Sequence, residues 1–117
     1  MEGTVEQYKK SVKQFLSTYE SLHTEHLHVE LLFDDVRLRY MAVRVGWINR
    51  KRIHLCLIHI EICDGFLIIQ CNNTEDLIID ELEALGISRQ KIILGFLPPE
   101  IRTLEALHER EVRLEPA

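Results

Sequence analysis

The sequence predicts an α+β fold: an antiparallel meander sheet of four to five strands, packed by an N-terminal helix and by a helix after the fourth strand. Three observations carry that expectation. Apolar residues first recur at steps of three and four, the pattern then changes to short runs broken by polar turns, and helical spacing returns after Asn72. At 117 residues the chain has room for one core, so residues 1–117 are read as a single domain with residues 103–117 as its tail.

The first helix rests on Val5, Tyr8, Val12, Phe15, Leu16, Tyr19 and Leu22, which fall on one stripe. Thr4 followed by Gln7 reads as a capping box, and Lys9, Lys10 and Lys13 fall off the stripe into solvent. Residues 28–33 alternate, with Val29, Leu31 and Phe33 on one face and His28, Glu30 and Leu32 on the other. Asp34-Asp35 supplies a turn, and residues 38–47 return as a second strand. The polar tip Asn49-Arg50-Lys51 closes a hairpin onto residues 53–62. That third run is apolar on both faces, with Ile53, Leu55 and Leu57 on one and Cys56, Ile58, Ile60 and Ile62 on the other. Such a strand belongs in the middle of a sheet covered on both sides. Asp64-Gly65 has the chemistry of a type I′ turn, and residues 66–71 form the fourth strand.

Asn72-Asn73-Thr74 offers caps for a second helix, with Leu77, Ile78, Leu82 and Leu85 as its buried stripe. Asp76, Asp80, Glu81 and Glu83 face water, and Gly86 fits the left-handed position that ends a helix, with Ile87 packing behind it. Residues 92–96 read as a short strand broken by Pro98-Pro99, and residues 100–110 as a last helix through Ile101, Leu104 and Leu107.

With 46% hydrophobic and 28% charged residues, the composition is that of an ordinary globular domain. No apolar run approaches the ~20 residues of a membrane span, and no apolar core within Met1 to Lys10 suggests a signal peptide. Cys56, Cys63 and Cys71 have no C-x-x-C spacing and read as small apolar residues of a reduced, cytoplasmic protein. A net charge of −5 argues against a general nucleic-acid coat. The average hides a segregation, however. Arg37, Arg39, Arg44, Arg50, Lys51 and Arg52 give residues 37–52 a charge of +6, leaving −11 on the rest. Drawn from two adjacent strands and their tip, these residues are expected to share one end or face of the sheet. Beside them, Trp47 reads as a hydrophobic anchor for a partner.

Catalytic motifs are absent from the sequence: there is no glycine-rich phosphate loop, no H-E-x-x-H and no G-x-S-x-G. His23, His26 and His28 span a helix end and a strand start, so their side chains need not converge, and neither a metal nor a cofactor is expected. His59, inside an apolar strand, reads as a buried neutral ring with one hydrogen bond. Asp64 could pair with it as a base, but the turn already accounts for Asp64. No acidic residue is followed two positions later by lysine, so the carboxylate–lysine pattern of metal-dependent nucleases is missing.

Taken as one string, the middle and C-terminal half resemble a known family. Val45-Gly46-Trp47, Arg52-Ile53, the run from Leu57 through His59 to Ile62, Asp64-Gly65 and Ile68-Ile69-Gln70 look like the central hairpin of the XisI family, the excision controlling factors. Thr74-Glu75, Asp80-Glu81-Leu82, Leu85-Gly86-Ile87 and Ile92-Ile93-Leu94-Gly95-Phe96, then Pro99 and Arg102, continue the resemblance in order. It runs from about Tyr8 to Arg102 and is strongest after Gly46. Two departures stand out: Leu97 takes a place where the family often has histidine, and Cys71-Asn72-Asn73 replaces a segment that often begins with histidine. The resemblance implies a non-catalytic accessory protein in the control of programmed excision of a DNA element in cyanobacteria. It further implies a XisH-like partner of nuclease-like fold, while a separate recombinase cuts and joins the DNA. DNA would be met only indirectly or within a complex, no membrane is involved, and a homo-oligomer is a further expectation. The alternatives are a direct DNA-binding factor using residues 37–52, or a small hydrolase centred on His59.

Overall fold

The structure, a computed structural model, describes residues 5–98, so the cap at Thr4, Pro99, Arg102 and the helix over residues 100–110 lie outside the described residues. Helix α1 (Val5–Ser17) buries Tyr8, Val12, Phe15 and Leu16, and a 3-10 turn (Thr18–Ser21) adds Tyr19. The stripe therefore holds at its centre, while its ends, Val5 and Leu22, are exposed. Ser11 is an unforeseen buried member of α1. Its hydroxyl donates to the Leu85 carbonyl at 3.2 Å, which satisfies the oxygen where burial would otherwise cost most.

Five strands form one sheet in the order β1 (Leu27–Asp34), β2 (Arg39–Ile48), β3 (Lys51–Cys63), β4 (Phe66–Asn72) and β5 (Ile92–Leu94). The first four pair antiparallel, as expected of a meander, whereas β5 lies parallel to β4. The reason is topological: helix α2 (Ile78–Ala84) stands between them, and a crossover returns the chain to the end of the sheet at which β4 began.

β3 is central, as its apolar run predicts, but among the described residues helices cover only one of its sides. Residues of α1 and α2 share one core with Tyr40, Ile58, Ile60, Leu67, Ile69 and Ile92, all on a single face of the sheet. On the opposite face Val43 and Val45 are buried and Met41, Cys56, His59, Glu61, Ile68 and Cys71 half-buried, with no helix over them among the described residues. A β-bulge explains the misreading. Ala42 pairs with Ile58 and Val43 with Cys56, so Leu57 is an extra residue on β3. One inserted residue inverts the alternation, and it places Ile53, Leu55 and Leu57 on the same side as Ile58, Ile60 and Ile62. What looks like two apolar faces in sequence is one face interrupted by a bulge. A second bulge leaves Gln70 as the extra residue on β4.

Turn chemistry follows the sequence closely. Asp34 Oδ1 accepts the N–H groups of Val36 and Arg37, both at 2.9 Å, and the bond from Arg37 is the main cause holding its carboxyl below the usual range. Asp35 accepts from Lys13 at 2.7 Å and from the buried Tyr40 hydroxyl at 2.8 Å, which ties α1 to the β1–β2 turn. Asp64 (φ 53°) and Gly65 (φ 82°) both take the left-handed conformation of a type I′ turn. A Cβ on Gly65 would meet nothing within 4 Å, so any cost of a side chain there is backbone strain alone. Gly65→Val is expected to lower stability by ~1–2 kcal/mol, read as a fall in the urea midpoint. An unchanged midpoint would mean that this turn tolerates β-branched residues and that the strain is absent.

α2 keeps only part of its expected anatomy. Its N-cap is Leu77 rather than an Asn or Thr, with no side-chain bond. Asn72 and Thr74 instead build the preceding turn: Asn72 Oδ1 accepts from the Thr74 N–H at 3.0 Å, and Thr74 Oγ1 from the Asp76 N–H at 3.1 Å. Leu77, expected on the buried stripe, is 70% exposed because it precedes the first helical turn. Ile78 and Leu82 are buried as predicted. At the other end Gly86 (φ 100°) donates to the Glu83 carbonyl at 3.0 Å, and Ile87 to that of Leu82 at 3.2 Å, the paired bonds of a Schellman cap. No described helix is long and apolar enough to cross a membrane.

Candidate functional site: the distal β2–β3 hairpin

The ten residues of β2 separate its two ends by about 30 Å, and this distance divides the basic window. Arg37 lies in the β1–β2 turn beside Asp34 (3.3 Å), and Arg39 Nε pairs with Glu61 across to β3 at 3.1 Å. Arg50, Lys51 and Arg52 sit at the opposite end, in and after the β2–β3 turn. The six cations therefore do not form one patch, because a hairpin of long strands puts successive connections at opposite ends. Arg44 stands between them on the helix side, and its buried Nε has no hydrogen-bond partner among the described residues. Neither Arg44, Arg50, Lys51 nor Arg52 makes an ion pair with a described residue. Arg37 and Arg39 are neutralised locally; Arg44 and the distal three make no ion pair with a described residue.

The tip itself is strained. Asn49 (φ 50°) and Arg50 (φ 68°) close the hairpin as a two-residue type I′ turn between the paired Ile48 and Lys51. Asparagine suits its place, but the second place favours glycine, and a side chain in that conformation costs about 1–2 kcal/mol. Trp47 is 54% exposed, directly opposite Arg52, whose guanidinium lies 5.3 Å from the indole centroid. Gly46 makes this arrangement possible. A Cβ there would stand 2.0 Å from the His26 carbonyl oxygen, which accepts the Trp47 N–H at 3.1 Å. Glycine thus lets the segment entering β1 close against β2 and fixes the backbone of the exposed indole.

His59 lies on the open face of β3 between Met41 and Cys71, half-buried, with Nε2 shielded and without a partner among the described residues. The hydrogen bond expected for a buried histidine is not formed at Nε2 with any described residue. Asp64 is five residues further on in the next turn, about 16 Å along the strand, so the two do not form an acid–base pair. Burial pushes the His59 pKa below its usual 6.5, with Glu61 opposing and Arg39 reinforcing the shift. The folded chain therefore disfavours the imidazolium, and the unfolded chain takes the proton first. Stability is expected to be full above that pH, to decline as pH falls from 6.5 towards the lower folded value, and then to level off. Urea midpoints at about pH 7 and about pH 5 should differ more in the wild type than in His59→Gln. Equal differences would show that His59 is not the group responsible.

Other chemistry lies elsewhere. A hollow of about 310 Å³ opens beside α2, lined by Ile69, Asp76, Leu77, Ile78, Leu94 and Phe96, on the helix side of the sheet and away from His59. Tyr19 donates its hydroxyl to Asp76 at its rim, at 2.5 Å. His28 contacts Glu30 at 3.0 Å and His26 contacts Glu25 at 3.7 Å, and the described histidines, cysteines and carboxylates form no metal-sized group of three.

A family model described as XisI protein matches residues 1–107. The chain belongs to the XisI family. Its structure is similar to that of a XisI-like protein from Anabaena variabilis, at 34% identity and a TM-score of 0.79, over 85% of this chain and 93% of that one. It is also similar to the fdxN element excision controlling factor XisI from Anabaena variabilis, at 27% identity and a TM-score of 0.71, over 84% and 91% of the two chains. No curated protein matches the sequence.

Most XisI-like motif positions build this frame and are not gathered at one site. Asp64 and Gly65 form a turn, Gln70 is a bulge residue, Thr74 orders the approach to α2 and Gly86 ends it. Gly95 packs so closely that a Cβ would lie 2.8 Å from Ile68 Cγ2 and 2.9 Å from Gln70 Oε1. Glu75 and Phe96 are exposed, while Gly46 and Trp47, with Arg52 and Ile53 opposite them, belong to the distal hairpin. One feature of that hairpin escaped sequence reasoning: β3 has thirteen residues and β4 seven, so β3 outruns its neighbour. The unequal lengths of the two apolar runs were the available signal.

Proposed function

We propose that this protein is a non-catalytic accessory factor in control of DNA-element excision, and that it binds a XisH-like partner of nuclease-like fold through the distal β2–β3 hairpin. The observation that carries this reading is the gathering of Arg50, Lys51 and Arg52, which make no ion pair with a described residue, at the hairpin tip beside the exposed Trp47. Unpaired charge orients and accelerates encounter, and a desolvated aromatic supplies more of the affinity. The excision-control role draws support from the printed name of the second Anabaena relative. On this reading a separate recombinase cuts and joins DNA, and the factor works in the cytoplasm. It meets DNA only inside the complex.

Co-purification with a XisH-like protein tests the proposal. A complex that forms at low salt and loosens as salt rises is the expected result. Failure of the two proteins to associate would overturn it, and tight binding of duplex DNA by the chain alone would make it a direct DNA-binding factor.

A further inference from the structure

Beyond the end of β4, the outer edge of β3 has no strand beside it among the described residues. The β3–β4 ladder stops at Ile58 paired with Asn72, and the Asn73 N–H then bonds to the Leu57 carbonyl at 2.7 Å. The Asn73 side chain closes the ladder by donating to the Cys56 carbonyl at 2.9 Å. Residues 51–55 continue past this point, paired with β2 on their other side only. In a two-residue hairpin the closing pair, here Ile48 and Lys51, is hydrogen-bonded, and bonded pairs then recur at every second residue. Ile53 and Leu55 therefore spend their backbone groups on Gly46 and Arg44, while the N–H and C=O of Arg52 and His54 point outwards. Both residues are exposed.

The two sides of this edge differ in chemistry. The side chains of Arg52 and His54 lie on the open face with Trp47, and those of Ile53 and Leu55 on the other, where Leu55 is 43% exposed. We infer that residues 51–55 are an acceptor edge for an extended acidic segment of the partner protein, which adds as a strand beside β3. Its backbone would pair with Arg52 and His54, its carboxylates would face Arg52 and Trp47, and its intervening apolar residues would cover Ile53 and Leu55. Charge selects an acidic strand: Arg50, Lys51 and Arg52 all crowd this edge, and none has an anion among the described residues. This inference rests on the partner-binding reading above and specifies how that binding is made.

A short alternating Glu–Val peptide serves as the probe, with the full chain and amide hydrogen exchange as the readout. At saturation the Arg52 and His54 amides should slow at least about tenfold, while the Ile53 and Leu55 amides, already bonded to β2, stay unchanged. His54→Pro removes one outward donor without touching the β2 ladder, and an edge position tolerates proline. The variant should bind the peptide about tenfold more weakly, the equivalent of one lost backbone hydrogen bond, with its circular dichroism retained. Should the variant unfold, the exchange result on the wild type decides alone. Absence of peptide binding, binding without protection of Arg52 and His54, or equal binding of a Lys–Val peptide would overturn the inference. So would a folded His54→Pro variant that binds the peptide as the wild type does. Protection that grows with protein concentration in the absence of peptide would assign the edge to a second copy and overturn it as well. The two readings fail separately. A XisH-like protein that co-purifies equally with the folded His54→Pro variant keeps the partner and removes the strand. Protected amides without a XisH-like complex keep the edge and remove that partner.

Discussion

Gly46→Ala is expected to destabilise the protein by about 3 kcal/mol, the upper part of the range for forcing an extra group into a packed site. The added Cβ would stand 2.0 Å from the His26 carbonyl oxygen and 2.9 Å from Leu27 Cα, both backbone atoms. Neither can swing away as a side-chain end would, so β1 and β2 must separate. The same movement would break the bond from the Trp47 N–H to His26, so indole fluorescence should change along with the urea midpoint. Gly95 gives the contrast, since its nearest neighbours are the side chains of Ile68 and Gln70, which have some freedom to adjust. An alanine variant with the wild-type midpoint would mean that the approach of His26 to β2 is looser than the structure shows.

Reversing Arg50 and Arg52 together to glutamate is expected to slow association with the XisH-like partner roughly a hundredfold at low salt, within the range electrostatic steering covers. The fold should survive, because both side chains are exposed and neither makes an ion pair with a described residue. The reversal also removes the stacking of Arg52 on Trp47, so dissociation should quicken modestly. Stopped-flow association at several salt concentrations separates these effects: the wild-type rate should fall with salt, and the variant's should fall little or rise. Equal rates at low salt would reduce the distal cations to solvated surface residues. The comparable reversal of Arg37 and Arg39 addresses a different part of the molecule, since Asp34 and Glu61 already engage those residues at the far end of β2.

What the sequence determined by itself was local. The central stripe of α1, the Asp64-Gly65 turn and the Gly86 cap were legible because each depends on residues within a few positions of one another. The XisI resemblance was legible for a related reason, as an ordered series of short segments that needs no contacts to recognise. The meander order was legible too, but the tertiary structure decided the register of pairing and the parallel placement of β5. The bulge at Leu57 depends on which residue of β2 lies opposite, and that choice turned two apparent apolar faces of β3 into one. Strand length divided the basic window, because five of its six cations are drawn to opposite ends of a hairpin and Arg44 stands between them. Burial of His59 Nε2 without a partner likewise follows from neighbours on β2 and β4. The acceptor edge on β3 exists only because β4 stops short, with Asn73 closing the ladder, and relative strand length is a relation between segments that neither segment encodes alone.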